Sequence, residues 1–311
     1  MKSLVTPLRF LAAAAASLSA LTAFAVTPSV QYFTLLKSQN FVQTETGVST
    51  MPYNPAMDLY PWRFESDING TALDPSNPAA PNTVTTPVPS TTTSFDLTPP
   101  DLTHGWQYRP GFDSQTAMDT ALKNGTYSVS LANGAATPFN VALSGDLYPN
   151  STMATLTGGN WVGNVYQINP ADAWTLNTGT YVDNFLFSNA RIEIDIWGGG
   201  IDFTKDAGAA SMYPYSGTDL SATMDLNSTD AGAPTFLAGN TYVVDIRFSR
   251  IVDYQDIGVA LGQAAGSAHS VGLYESSLSF SIQAIPEPST YAAMAGALAL
   301  AVAAWRRRRI A

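Results

Sequence analysis

The 311-residue sequence contains no cysteine. That absence excludes disulfides, thiolate nucleophiles and cysteine-ligated metals together. Histidine is nearly absent too. His104 and His269 stand far apart, and neither belongs to a His-x-x-x-His ligand pattern. Charged residues make up only 12% of the chain. Positive charge is scarcest in the interior, because Lys2, Arg9 and Arg306 to Arg309 lie at the ends. Residues 26–285 hold 8 basic and 23 acidic side chains, a net of −15. Such a body is repelled by nucleic acid and anionic lipid, so no nucleic-acid partner is expected. There is no Gly-x-Ser-x-Gly nucleophile elbow. The glycine run "WGGGID" lacks the lysine and spacing of a phosphate loop and reads as a turn.

Helical periodicity is also scarce. "SQTAMDTALK" at residues 114–123 is the best candidate, about two turns. What recurs instead is short apolar alternation broken by Gly, Asn, Pro and Asp. In "RIEIDIW", Ile192, Ile194 and Ile196 share one strand face, and Glu193 and Asp195 share the other. "TYSVSL", "TYVVDIRF" and "LYESSLSFSIQAI" alternate in the same way. The pattern predicts an all-β body of one or two antiparallel β-sandwich modules of Ig-like or Greek-key type. A hydrophobic helix is expected at each end of the chain.

One internal echo supports the sandwich expectation. Leu122, Gly125, Tyr127, Val129 and Leu131 are answered by Leu237, Gly239, Tyr242, Val244 and Ile246. Leu, Gly and Tyr ahead of an alternating strand fit a tyrosine corner, where a phenol ties a turn to the strand that follows. Asn133-Gly134 then marks a hairpin. The expected modules cover residues 26–144 and 145–284. Trp161, Trp174 and Trp197 are core candidates in the second. Residues 74–93 carry five prolines and read as an exposed Pro/Thr-rich loop. Residues 253–270 read as a long Gly/Ala-rich mobile loop.

Three groups of side chains are candidates for chemistry in the body. Glu193 and Asp195, about 7 Å apart along a strand, have a spacing that a carboxylate pair of a polysaccharide hydrolase could use. A solvated strand face explains them more simply. Asp67, Asn69 and Asp74 cluster oxygen atoms around a glycine, which suits Ca²⁺, although the closing Glu of a calcium loop is missing. No other cofactor is expected. Tyr53, Tyr60 and Trp62, or Tyr213 and Tyr215, offer faces on which sugars stack. Core or loop packing is the simpler role for each.

The termini say more. Lys2 and Arg9 precede the apolar stretch 10–21, and Ala23 and Ala25 fit the small-x-small cleavage rule. Residues 1–25 thus read as a signal peptide, with signal peptidase and the Sec machinery as partners. At the other end, residues 291–305 carry no charge, and eight of these 15 residues are Ala. As a helix they would reach about 22 Å, short of a hydrocarbon core of about 30 Å. Tyr291 and Trp305 bracket the stretch, and Arg306, Arg307, Arg308 and Arg309 follow on the side expected to stay cytoplasmic. The segment reads as a brief transmembrane hold.

Pro286, Glu287, Pro288 and Ser289, then the apolar stretch, then the arginine cluster, stand in this order at the C-terminus. Residues 286–311 closely resemble the PEP-CTERM sorting signal of Gram-negative bacteria. The Ile-Ala ending after the arginines is a mild departure. The resemblance implies recognition by an exosortase and removal of the tail near Pro-Glu-Pro. It also implies delivery of the body to the cell surface or matrix, often alongside exopolysaccharide and biofilm genes. It implies nothing about the body. The leading expectation is an exported, non-enzymatic surface or matrix protein. The alternatives are a carbohydrate-binding module that retains exopolysaccharide and, third, a secreted hydrolase.

Overall fold

The computed structural model describes residues 29–71, 82–97, 106–131, 137–150, 153–178, 190–207, 223–225, 235–285, 295–302 and 305–307. Strands dominate. In the first half they are β1 (Ser29–Thr44), β2 (Gly47–Thr50), β3 (Trp62–Thr71), β4 (Asn82–Thr85), β5 (Ser94–Leu97), β6 (Trp106–Tyr108), β7 (Gly111–Phe112), β8 (Gly125–Ser130) and β9 (Phe139–Leu143). The second half has β10 (Thr155–Thr157), β11 (Gly159–Val162), β12 (Val165–Ile168), β13 (Thr175–Asn177), β14 (Ala190–Gly198), β15 (Ile201–Ala207), β16 (Thr223–Asp225), β17 (Thr241–Asp256) and β18 (His269–Ala284). Helix α1 (Gln115–Ala121) starts where the sequence predicts, with the Ser114 hydroxyl accepting the Ala117 N–H.

The largest sheet has 11 strands, with the central path β15-β14-β17-β18-β1-β3-β6. Most pairs are antiparallel. Two are parallel: β1 with β18, and β12 with β18. The first and last strands of the body are therefore neighbours. The strand pairing crosses the expected boundary at 144/145. β1 runs beside β18 from Tyr32 opposite His269 to Val42 opposite Ser279. Local alternation marks each strand but not its distant partner.

Alternation decides what the sheet buries. Tyr242, Val244, Ile246 and Phe248 on β17 and Leu278, Phe280 and Ile282 on β18 lie on one face. There they join Ile192, Ile194, Ile196 and the buried ring of Trp174 in one core. A second core includes Phe33, Leu35, Phe64 and Ile68 of the large sheet. It adds Val84, Phe95, Tyr127, Val129 and Val141 of a four-stranded sheet ordered β5-β4-β8-β9. A three-stranded sheet, β10-β13-β16, contributes Leu156 and Leu176 to the first core. Burial of such side chains is the main favourable contribution in a chain without cross-linking cysteines.

Both tyrosine corners are present. The Tyr127 hydroxyl donates to the Lys123 carbonyl at 2.6 Å. The Tyr242 hydroxyl accepts from the Leu237 N–H at 2.7 Å. The two leucines of the echo differ, since Leu122 is fully buried and Leu237 is exposed. The "WGGGID" turn joins β14 to β15, and Gly198, Gly199 and Gly200 all have positive φ. That run of left-handed backbone is the reason for three glycines.

Three expectations are corrected. The stretch 74–93 contains β4, an inner strand of its sheet. Between Pro81 and Pro87 lies a proline-free run in which Asn82, Val84 and Thr86 turn inward, enough for a short ladder. The stretch 253–270 is not one long loop: its ends belong to β17 and β18, and only 257–268 connect them. The connection buries Ile257, Leu261 and Ala268. The Asp256 carboxylate accepts from the N–H groups of Gly258 and Gly266. Trp197 is not a core residue. It follows Glu193 and Asp195 onto the opposite face of β14 and is exposed.

Candidate functional site

The face of the large sheet opposite its two cores carries the other alternating set. Asp245, Arg247 and Ser249 come from β17, Glu275, Ser277 and Ser279 from β18, and Glu193 and Asp195 from β14. The register sets Glu193 opposite Arg247 and Ser249 opposite Glu275. Two strands further on, β3 presents Glu65 and Asp67 on this face. A groove of about 280 Å³ runs across these strands, lined among others by Tyr32, Thr34, Glu65, Arg109, Arg247 and Glu275.

Arg247 organises one side of the groove. Its Nη1 bonds Glu193 Oε1 at 2.6 Å and its Nε bonds Asp245 Oδ2 at 3.1 Å. Its Nη2 also bonds Asp195. Burial alone would lower the guanidinium pKa, but Glu275, Asp245, Glu193 and Asp195 together raise it. Ser277 and Ser279 hydroxyls donate to the second oxygen of Asp245. Arg109 organises the other side, 2.6 Å from Glu65 and 3.7 Å from Asp67. Burial pushes the Glu275 carboxyl up to about 7, against the pull of Arg247. Asp245 and Glu65 push the same way as burial. Ser249 donates to Glu275 at 3.0 Å. The groove thus offers guanidinium donors, carboxylate acceptors and hydroxyls, with one carboxyl poised near neutral pH. It can hydrogen-bond a polyhydroxylated ligand densely.

The solvated-face expectation for Glu193 and Asp195 is corrected, because these residues are only 8% and 9% exposed. Their carboxylates are bound by the same guanidinium, an arrangement that a sequence without strand register does not show. Of the calcium candidates, Asp67 and Asn69 stand on β3 rather than on a tight loop, and Asp74 lies outside the described residues. Among the described residues no group of three acidic or histidine side chains is arranged to hold a metal. Tyr53 is exposed and meets Tyr60 edge-on at 5.8 Å. Trp62 is half-buried and packs edge-on against Tyr148. His269 stacks on Tyr254. His104, Tyr213 and Tyr215 lie outside the described residues, as do Ala23 and Ala25 of the signal segment.

The body closes at Ile285, whose N–H donates to the Ile168 carbonyl at 2.8 Å. Pro286, Glu287, Pro288, Tyr291, Arg308 and Arg309 lie outside the described residues. Residues 295–302 and 305–307 are helical and exposed, including Trp305, Arg306 and Arg307. No helix among the described residues is long and apolar enough to cross a membrane. The described helical residues give no support to the transmembrane expectation for 291–305. The uncharged stretch is 15 residues, bounded by prolines and arginines.

Residues 284–309 match the PEP-CTERM protein-sorting motif. The match begins at the last residue of β18 and includes the Pro-Glu-Pro triplet and the arginine cluster. The chain therefore carries a C-terminal tail for protein sorting at the membrane and export toward the cell surface. No curated protein matches the chain significantly.

Proposed function

We propose that this chain is an exported, non-enzymatic surface or extracellular-matrix protein released by an exosortase that acts near Pro286-Glu287-Pro288. The motif match at 284–309 is the observation that carries the reading. The body supports it, since its last described backbone pairings, at Ala284 and Ile285, lie just ahead of Pro286. Signal peptidase and the Sec machinery act first, on residues 1–25. We read the face-to-face sheets and paired tyrosine corners as a sandwich body of Greek-key type. In a strain lacking the exosortase, intact-mass spectrometry and fractionation should find the protein with its tail, in the inner membrane. Release at unchanged mass from that strain would refute the reading.

The groove favours a second reading, retention of exopolysaccharide in a biofilm. Its density of guanidinium, carboxylate and hydroxyl groups supports that use, and Tyr53, outside the groove lining, is a separate exposed aromatic face. Pull-down with the producer's own polysaccharide should weaken at least about tenfold in Arg109→Ala, roughly one charge-assisted contact. A hydrolase using Glu193 and Asp195 is the third reading. It requires activity on a polysaccharide panel that Asp195→Asn abolishes.

A further inference from the structure

A buried lysine lies on the core side of the large sheet, remote from the groove face. Lys37 on β1 is fully buried, on the same face as Phe33 and Leu35. Its Nζ touches two side chains. Asp119 Oδ1 on α1 accepts at 2.6 Å, and Asn124 Oδ1 accepts at 2.8 Å. The Asn124 amide nitrogen in turn donates to Asp146. Asp146 holds a left-handed φ of 47° on the turn after β9. Tyr127, Tyr148 and Tyr274 are close enough that the charges of Asp119 or Asp146 help raise their phenol pKa values, after burial. A lysine seldom sits this deep without a reason.

We propose that Lys37 and Asn124 join through an intramolecular isopeptide bond, formed by the folded protein itself with Asp119 as the catalytic acid-base. The geometry carries the proposal. A nucleophilic nitrogen 2.8 Å from a carbonyl oxygen lies within about 4 Å of its carbon, given a C=O length of about 1.23 Å. From that upper limit a shift of about half an ångström reaches the roughly 3–3.5 Å from which attack proceeds. The amine must be neutral to attack. Burial lowers the Lys37 pKa and favours that form, although Asp119 and Asp146 oppose the shift. Asp119 takes up the proton that Nζ sheds. The Nζ–Cγ bond forms, and the Cγ–Nδ2 bond breaks. The protons shed by Nζ end on the departing nitrogen. Amine plus primary amide thus gives secondary amide plus ammonia, with both carboxylates unchanged. The step consumes no water, oxidant or cofactor.

The link would tie β1 of the large sheet to the residue just before β8 of the four-stranded sheet, closing a separation of 87 residues. It would do in this exported chain what disulfides cannot, since there is no cysteine. Intact-mass spectrometry of the full-length folded protein tests it. The wild type should be lighter than its sequence mass by one ammonia, about 17 Da. Proteolysis should yield one branched peptide, uncleaved at Lys37 and joined to the peptide that holds Asn124. Lys37→Arg and Asn124→Ala should each restore the full mass. Asp119→Ala should give folded protein, checked by circular dichroism, with at least about tenfold less branched peptide. Folded wild type at full sequence mass, with free Lys37 and Asn124 peptides, would overturn the bond. Complete bonding in Asp119→Ala would overturn the role of Asp119.

Discussion

Replacing Glu275 with glutamine should stabilise the protein above pH 7 and leave it unchanged near pH 4.5. The carboxyl is raised from 4.5 to about 7, first by burial and further by Asp245 and Glu65, while Arg247 and Ser249 pull it down. The folded state therefore keeps its proton after the unfolded chain has lost one. Stability falls as pH rises from 4.5 through 7 and stays lower above that. Each pH unit of difference is worth about 1.4 kcal/mol, which gives about 3 kcal/mol for the full shift. Partial access of water to the carboxyl reduces this to about 2–3 kcal/mol. Glutamine is neutral throughout and keeps an oxygen for the Ser249 hydroxyl, now 3.0 Å from Glu275. Urea unfolding of both proteins at pH 4.5, 6, 7 and 8 isolates this group, because every other titration is common to the pair. The expected difference is near zero at the acid end. At pH 8 it should favour Glu275→Gln by about 2–3 kcal/mol, or about 5–10 °C in Tm. A variant less stable than wild type at pH 8 would refute the reasoning. It would mean that Glu275 is ionised and holds Arg247 favourably.

Four further substitutions probe the scaffold. Tyr127→Phe and Tyr242→Phe each delete a corner hydrogen bond and should cost about 1–2 kcal/mol in urea unfolding, with little change in m-value. Gln43 clamps Ala154 from both sides, with two hydrogen bonds of 2.8 Å. Gln43→Leu should cost about 2–4 kcal/mol by the same measurement, because it strands a buried N–H and C=O. A Cβ added at Gly272 would stand 2.2 Å from the Ala142 carbonyl oxygen. Gly272→Ala should cost about 1–3 kcal/mol and lower Tm, since backbone must move to admit it.

What the sequence reveals is what is periodic and local. The isoleucines of "RIEIDIW" point into a core because alternation with period two is written in that segment alone. The corner tyrosines are legible for the same reason, each bonding a backbone group only four or five residues back. Residues 82–86 are obscured in the sequence by the prolines on either side of them. A five-residue run between prolines suffices for an inner strand. The groove is not local. Glu193 meets Arg247 across a separation of 54 residues, and Ser249 meets Glu275 only once β17 and β18 are in register. A one-residue slip in either pairing would turn those charges to the opposite face. The same holds for Lys37, Asp119 and Asn124, which lie on a strand, a helix and a turn with no shared pattern in the chain.

The arrangement of β18 fits the proposed release of the tail from a stable body. β18 is the most heavily paired strand, with β17 antiparallel along its length and β1 and β12 parallel on its other side. Its last residues, Gln283 and Ala284, pair with Thr241 and with β12, and the Ala284 carbonyl accepts from Gly239. Ile285 adds one bond to Ile168. A proline follows at once, and proline has no N–H to extend a ladder. The described pairing therefore ends within two residues of the first position matched by the sorting motif, at 284. Cutting the chain at Pro-Glu-Pro breaks no pairing of the body described here.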